Sequence, residues 1–135
     1  MLVIIAIISA VVISRGTGTD TANLQAEVDT LKGHLRYAQY LAMNANECNV
    51  PTSDTIKWGI RVDSSSYTLI KDVDGVQTSP FDLPNESSAE QSLPINATGT
   101  GTVLFNEWGS PDTPIPAIAL GSQSITITPE TGFIP

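Results

Sequence analysis

Cysteine and histidine are almost missing from this chain of 135 residues, and basic side chains are scarce. A lone Cys48 cannot close an internal disulfide, so the fold does not depend on oxidation; a small buried residue at a helix end accounts for it better than a nucleophile does. His34 stands alone too, so a Ser-His-Asp triad could use no other histidine, and no GxSxG elbow exists to present the serine. Six Lys and Arg against 14 Asp and Glu leave a net charge of -8, unevenly spread. Met1 to Cys48 holds three basic and four acidic residues, whereas Asn49 to Pro135 holds three basic and ten acidic. Such an acidic head lacks the clustered Lys and Arg that nucleic acid or an anionic lipid surface requires. Internal repeats and low-complexity tracts are absent as well.

What the chain does have is one apolar run at its start, MLVIIAIISAVVIS, in which Ser9 alone interrupts the hydrophobic residues before Ser14. As a helix these residues would be ~21 Å long, short of the roughly 30 Å of a bilayer core. A secretory signal peptide needs a basic region in front and small residues at a cleavage site behind, but Met1 leads straight into the run and Arg15 follows it. A core helix apolar on every face needs a larger protein around it. A membrane-held helix that has lost its first residues is the reading the downstream chain favours.

Arg15-Gly16-Thr17-Gly18-Thr19 has poor helix propensity and reads as a soft joint. Beyond it Leu24, Val28, Leu31, Leu35, Ala38, Ala42 and Ala45 recur in steps of four and three, the seam of an amphipathic helix. Gln25, Glu27, Asp29, Lys32, Arg36, Gln39 and Asn44 keep the opposite face wet. A coiled coil would show the same stripe, but strands follow, so the spacing predicts a helix laid on a sheet. Pro51 ends it.

The period then changes to two. Ile56, Trp58, Ile60 and Val62 alternate with Lys57, Gly59 and Arg61, Asp63 to Ser66 turns, and Tyr67 to Lys71 returns. Asp74-Gly75 predicts a tight turn into Val76, giving an antiparallel meander. Thr78 to Ser92, rich in Ser, Pro and acid, reads as a surface loop. Strands are expected again at Leu93–Ala97 and Thr102–Phe105, and a hairpin at Ala117–Leu120 and Ser124–Thr128, with a last turn at Thr131–Ile134. Asn106 to Pro116 is expected to be a structured loop whose Trp108 packs back on the sheet, and Trp58, Tyr67 and Phe105 are expected in the core. The fold class is thus α+β, a long N-terminal helix packed on an antiparallel sheet. Residues 1–19 form the anchor and joint, 20–50 the amphipathic helix and 51–135 the β head.

Catalytic and cofactor sites do not assemble from this pattern. Asp72-Val73-Asp74-Gly75 hints at a calcium loop, making Asp72 and Asp74 weak metal candidates, but the further spaced ligands and closing Glu are missing and a plain hairpin turn explains the same residues. The sequons Asn85-Glu86-Ser87 and Asn96-Ala97-Thr98 match by pattern only.

MLVIIAIISAVVIS resembles the N-terminal helix of type IV pilins and type II secretion pseudopilins, whose chains begin with a Phe-Thr-Leu-x-Glu-like run before such a stretch. VDTLKGHLRYAQYLAMNAN, KWGIRVDSSSYTLIKD, VLFNEWGSP and ITITPETGFI extend the resemblance to the GspH/FimT branch over most of the chain, Thr78 to Ser92 excepted. The basic leader, the glycine before the cut and the Phe and Glu after it are absent here. The chain is therefore expected to lack a leader and about five residues, ~7.5 Å of helix, through a miscalled start or trimming. Many family members carry a kinking proline near where Thr17 stands; the Gly16 to Thr19 joint is expected to supply that softness.

The resemblance implies a minor pilin or pseudopilin, a structural subunit of a type IV pilus or type II secretion filament. Leu2, Val3, Ile4, Ile5, Ile7, Ile8, Val11, Val12 and Ile13 would carry membrane and assembly contacts, and Leu24, Val28, Leu31, Leu35, Ala38 and Ala42 would hold the helix to the head. Implied partners are other pilin-like subunits, the inner-membrane assembly platform and, for a precursor with a leader, prepilin peptidase, followed by methylation of the new N-terminus. The helix would cross the bacterial inner membrane once with the head in the periplasm, or lie inside the filament. No enzyme activity and no cofactor are implied, although some secretion pseudopilins bind calcium. In the family a glutamate inside the apolar bundle pairs with a neighbour's N-terminal amine, and a buried carboxylate left unpaired is costly; this sequence lacks that glutamate. The alternative is a membrane-anchored periplasmic binding module that recognises a ligand through the acidic Thr78 to Ser92 loop.

Overall fold

The computed structural model describes residues 2–45, 55–112 and 114–135, with side chains from Ala22 onward. Among these residues the fold is α+β, one helix with two antiparallel sheets. The expected membrane contacts of Leu2 to Ile13, the Gly16 to Thr19 joint and Cys48 lie outside the described side chains.

Helix α1 spans Leu2–Asn44. Its described half is held locally by an i,i+4 bond from the Gln25 side chain to Asp29 at 3.1 Å and by the Thr30 hydroxyl donating to the Ala26 carbonyl at 2.8 Å. The last turn carries no basic residue, and the Asn44 side chain instead donates to the Tyr40 carbonyl, meeting one of the acceptors every helix end leaves open.

The larger sheet is built from β1 (Ile56–Val62), β2 (Ser66–Val73), β3 (Val76–Phe81), β4 (Glu90–Ser92) and β6 (Gly101–Phe105). Its order is β3-β2-β1-β6, and β4 shares the outer edge of β2 with β3: β3 pairs with Leu69 to Val73, β4 with Ser66 to Thr68. The smaller sheet orders β5 (Ala97–Thr98), β7 (Ile118–Leu120) and β8 (Gln123–Ile125) as β5-β7-β8. Asp74 and Gly75 both take positive φ, 53° and 86°, the geometry of the two-residue turn whose twist suits a hairpin.

Register explains the core. Ile60 lies opposite Leu69 on one side and Val103 on the other, so three apolar side chains cross the sheet in one row. Val28, Leu31, Leu35, Ala38 and Ala42 of α1 share a single buried cluster with them, together with Ile118, Leu120, Ile125 and Ile134. On β1, Trp58 meets Phe81 of β3 edge-on at 5.1 Å, while the Lys71 ammonium sits 5.6 Å from the Trp58 ring.

Three expectations are corrected. Thr78 to Ser92 is not loop throughout, because β3 continues to Phe81 and Glu90 to Ser92 form β4. Both pieces pair with the open edge of β2; β3 adds only Phe81 to the core and β4 contains no apolar residue. The strand expected at Leu93 to Ala97 is displaced: the Leu93 and Ala97 amides donate to the Ser65 and Ser64 carbonyls of the β1–β2 turn, and only Ala97 enters a sheet. Trp108 does not pack back on the sheet but is 78% exposed. The Asn106 side chain accepts from the backbone amides of Trp108 and Ser110, both at 3.0 Å, and this local turn fixes the loop with the indole left outside the core.

Candidate interaction surface

The helix seam comes first because it fixes everything else. Val28, Leu31, Leu35, Ala38 and Ala42 are buried, and Leu24 is half-buried against the same cluster. A Cβ on Gly121, in the turn after β7, would lie 3.3 Å from the Leu24 side chain, so the small sheet comes over the N-terminal end of the seam.

At the other end, two segments converge on Gln39. Its side-chain amide donates to the carbonyls of Gly109 at 2.8 Å, Gly132 at 3.3 Å and Thr131 at 3.4 Å. Arg36, one turn earlier, donates to the Ile134 carbonyl at 2.9 Å, tying the C-terminal residues along the helix. Glycine is required at the crossing: Gly132 has φ 70°, and a Cβ there would stand 2.0 Å from the Gly109 carbonyl oxygen.

Around this convergence the surface is apolar. Tyr40 and Met43 on α1, Trp108 beside Gly109 and Phe133 beside Gly132 are all exposed, although a large apolar side chain is normally drawn inside. The segments that carry them meet: a Cβ on Gly109 would lie 2.9 Å from the Met43 side-chain sulfur, and one on Gly132 would stand 2.0 Å from the Gly109 carbonyl oxygen. Next to them is an open groove of about 620 Å³ lined by Arg36, Gln39, Thr131, Phe133, Ile134 and Pro135. Aromatic and Met side chains gathered on an exposed face are the composition of protein contact surfaces.

Asp72 and Asp74 are engaged elsewhere. The Asp72 carboxylate accepts from the Gly75 amide at 2.8 Å and the Asp74 carboxylate from the Thr55 amide at 2.9 Å, so both act as turn acceptors. Lys57 forms a 2.6 Å ion pair with Asp112 close by. Among the described residues no three His, Cys, Asp or Glu side chains gather as a metal site.

His34 is buried on the helix with its Nδ1 2.9 Å from the Tyr67 hydroxyl and its Nε2 3.7 Å from the Glu86 carboxylate. Burial pushes its pKa below the ordinary 6.5, against the opposing pull of Glu86 and of the Pro84 carbonyl. Burial also raises Tyr67, reinforced by the carboxylates of Glu86 and Glu27. Among the described residues no serine or cysteine is drawn into this chain of contacts, and the Tyr67 oxygen lies inside the core.

No family model, characterised protein or solved structure matches this chain. What the surface can do is set by its own residues.

Sequence reasoning missed the convergence on Gln39 and the exposed set around it. Gln39 looks like any polar residue on the wet face, and the two segments it binds lie 70 and 93 residues further along. His34 carried a usable signal: it falls three residues after Leu31, at the margin of the seam, where a polar residue must find partners.

Proposed function

We propose that this chain is a structural subunit of a filament, a minor pilin or pseudopilin anchored in the bacterial inner membrane with its β head in the periplasm. The observation that carries the reading is α1 itself. One helix has its C-terminal half committed to the head by Val28, Leu31, Leu35, Ala38 and Ala42, while the sequence of its first 14 residues is apolar on every face. An amphipathic half needs only its own head, but a half that is apolar all round needs lipid or other helices. Among the described residues no helix is long and apolar enough to cross a membrane, and the apolar run lies outside that search.

Two further features support the reading. The Tyr40, Met43, Trp108 and Phe133 surface gives the head a place to touch a neighbouring subunit. The described polar clusters are accounted for by turns, ion pairs and loop anchoring, which leaves the chain's distinctive chemistry in its apolar surfaces.

The test is cross-linking in membranes. A Cys48→Ser, Ile8→Cys double variant is expected to form disulfide-linked adducts with pilin-like partners carrying a cysteine at the matching helical position, and replacement of residues 1–14 by an unrelated span is expected to abolish both adducts and filament incorporation. Full function with the unrelated span, and no adducts from Ile8→Cys, would instead point to a stand-alone binding module.

A further inference from the structure

We infer that Met43 is a site of oxidative modification that controls the loop crossing beside it: conversion of its thioether to the sulfoxide draws the Gln39 amide away from the loop carbonyls and loosens the aromatic face. The inference concerns contacts within one chain and does not depend on the filament reading.

Met43 lies four residues after Gln39 on α1, so the two side chains share one face of the helix. Both meet the same loop residue. A Cβ on Gly109 would lie 2.9 Å from the Met43 sulfur and 3.1 Å from the Gln39 amide nitrogen. The thioether therefore rests against the glycine whose carbonyl accepts the Gln39 hydrogen bond at 2.8 Å. Gln39 has no donor in reserve: its amide has two hydrogens, and they are divided among the carbonyls of Gly109, Thr131 and Gly132. A thioether is a weak acceptor and does not compete with those carbonyls.

Met43 is also open to small oxidants, being 49% exposed. The oxidant named here is hydrogen peroxide, which converts methionine to its sulfoxide. A sulfur lone pair attacks one peroxide oxygen, and the O–O bond breaks as the S–O bond forms. The displaced hydroxide leaves as water with the proton of the transferred hydroxyl. Sulfur loses two electrons and the peroxide gains them, so no other residue takes part.

The product is polar where the thioether was apolar. Its oxygen is a far better acceptor than the sulfur was, and it stands beside a donor whose hydrogens are already shared. Taking one of them leaves two loops to divide the other. The crossing has no slack with which to absorb this, because Gly132 stands so close to Gly109 that it tolerates no side chain. Trp108 adjoins one of these glycines and Phe133 the other, so a looser crossing displaces both exposed rings of the face.

The experiment uses the full chain in detergent micelles on a Cys48→Ser background, treated with dilute hydrogen peroxide and followed by peptide mass mapping, hydrogen exchange and the NMR signals of the Gln39 side-chain amide. Met43 is expected to gain one oxygen on the same timescale as free methionine, and the Gln39 signals to shift with it. The amides of Gly109, Ser110, Gly132 and Phe133 close the two loops, and their exchange is expected to rise by roughly three- to tenfold while β1 and β2 stay protected. The two methionine sulfoxide reductases, one for each epimer, are expected to reverse both changes, which separates Met43 from any oxidation of Trp108. Met43→Leu, a volume-conserving change, is expected to keep the crossing and lose the response to peroxide. Failure of Met43 to oxidise when free methionine does, unshifted Gln39 signals once Met43 is oxidised, a peroxide response that persists in Met43→Leu, or an increase in exchange that spreads to β1 and β2 would each overturn the inference.

Discussion

At the scale of single residues the molecule is tied by a few long-range polar contacts that local pattern does not announce. Gln39 is the clearest. One amide serves carbonyls of two different loops. Replacing it by leucine leaves at least one carbonyl short of a donor, and the expected loss is about 1–2 kcal/mol, measured by thermal unfolding in micelles. Trp108 behaves in the opposite way. Because its indole is outside the core, Trp108→Ser is expected to change stability by no more than about 0.5 kcal/mol while weakening incorporation into filaments, read by co-purification with partner subunits. Loss of stability without loss of incorporation would assign the indole to packing. None of these roles was legible beforehand: Trp108 looked like a core residue by type, and only the Asn106 turn explains why it is not.

At the scale of elements, the seam of α1 and the β1–β2 hairpin could be read directly from period. The four-and-three spacing of Leu24 to Ala42 and the alternation from Ile56 to Val62 each describe one face, and a face is what a core selects. Leu31 is wholly buried, so Leu31→Ala is expected to cost about 2–5 kcal/mol, whereas Ala38→Leu, which forces bulk between helix and sheet, is expected to cost about 1–3 kcal/mol. Urea unfolding in micelles would rank them. β3 and β4 could not be read in this way. The run from Val76 to Pro80 is exposed on both faces, and Glu90 to Ser92 contains no apolar residue, so their strand character comes from pairing with the edge of β2, with Phe81 at the end of β3 the one apolar residue that helps. The turn at Asp74-Gly75 was legible in outline, yet the carboxylates near it had two readings until their partners were known. With Asp72 and Asp74 spent on backbone amides, millimolar calcium is expected to leave the melting temperature unchanged. An upward shift would return them to the metal reading.

At the scale of the whole molecule, two kinds of surface divide the work. The interior between α1 and the sheets is closed by the chain itself, and its contacts are complete within one subunit. The aromatic face around Gln39 is exposed and the side chains of the apolar first 14 residues lie outside those described; the proposal gives the run to lipid or a helix bundle and the face to a neighbouring head. An acidic head with three basic residues fits this division, because it discourages nucleic acid and anionic surfaces while leaving apolar contact free to choose the partner. The central claim is that the N-terminal rod has no home inside its own globule, and sedimentation of the purified full-length chain with and without detergent, combined with hydrogen exchange at residues 2–13, tests it most directly. The account predicts a monomer in micelles with residues 2–13 protected by detergent, and large assemblies once the detergent is removed. A freely soluble monomer without detergent, with residues 2–13 still protected, would contradict it.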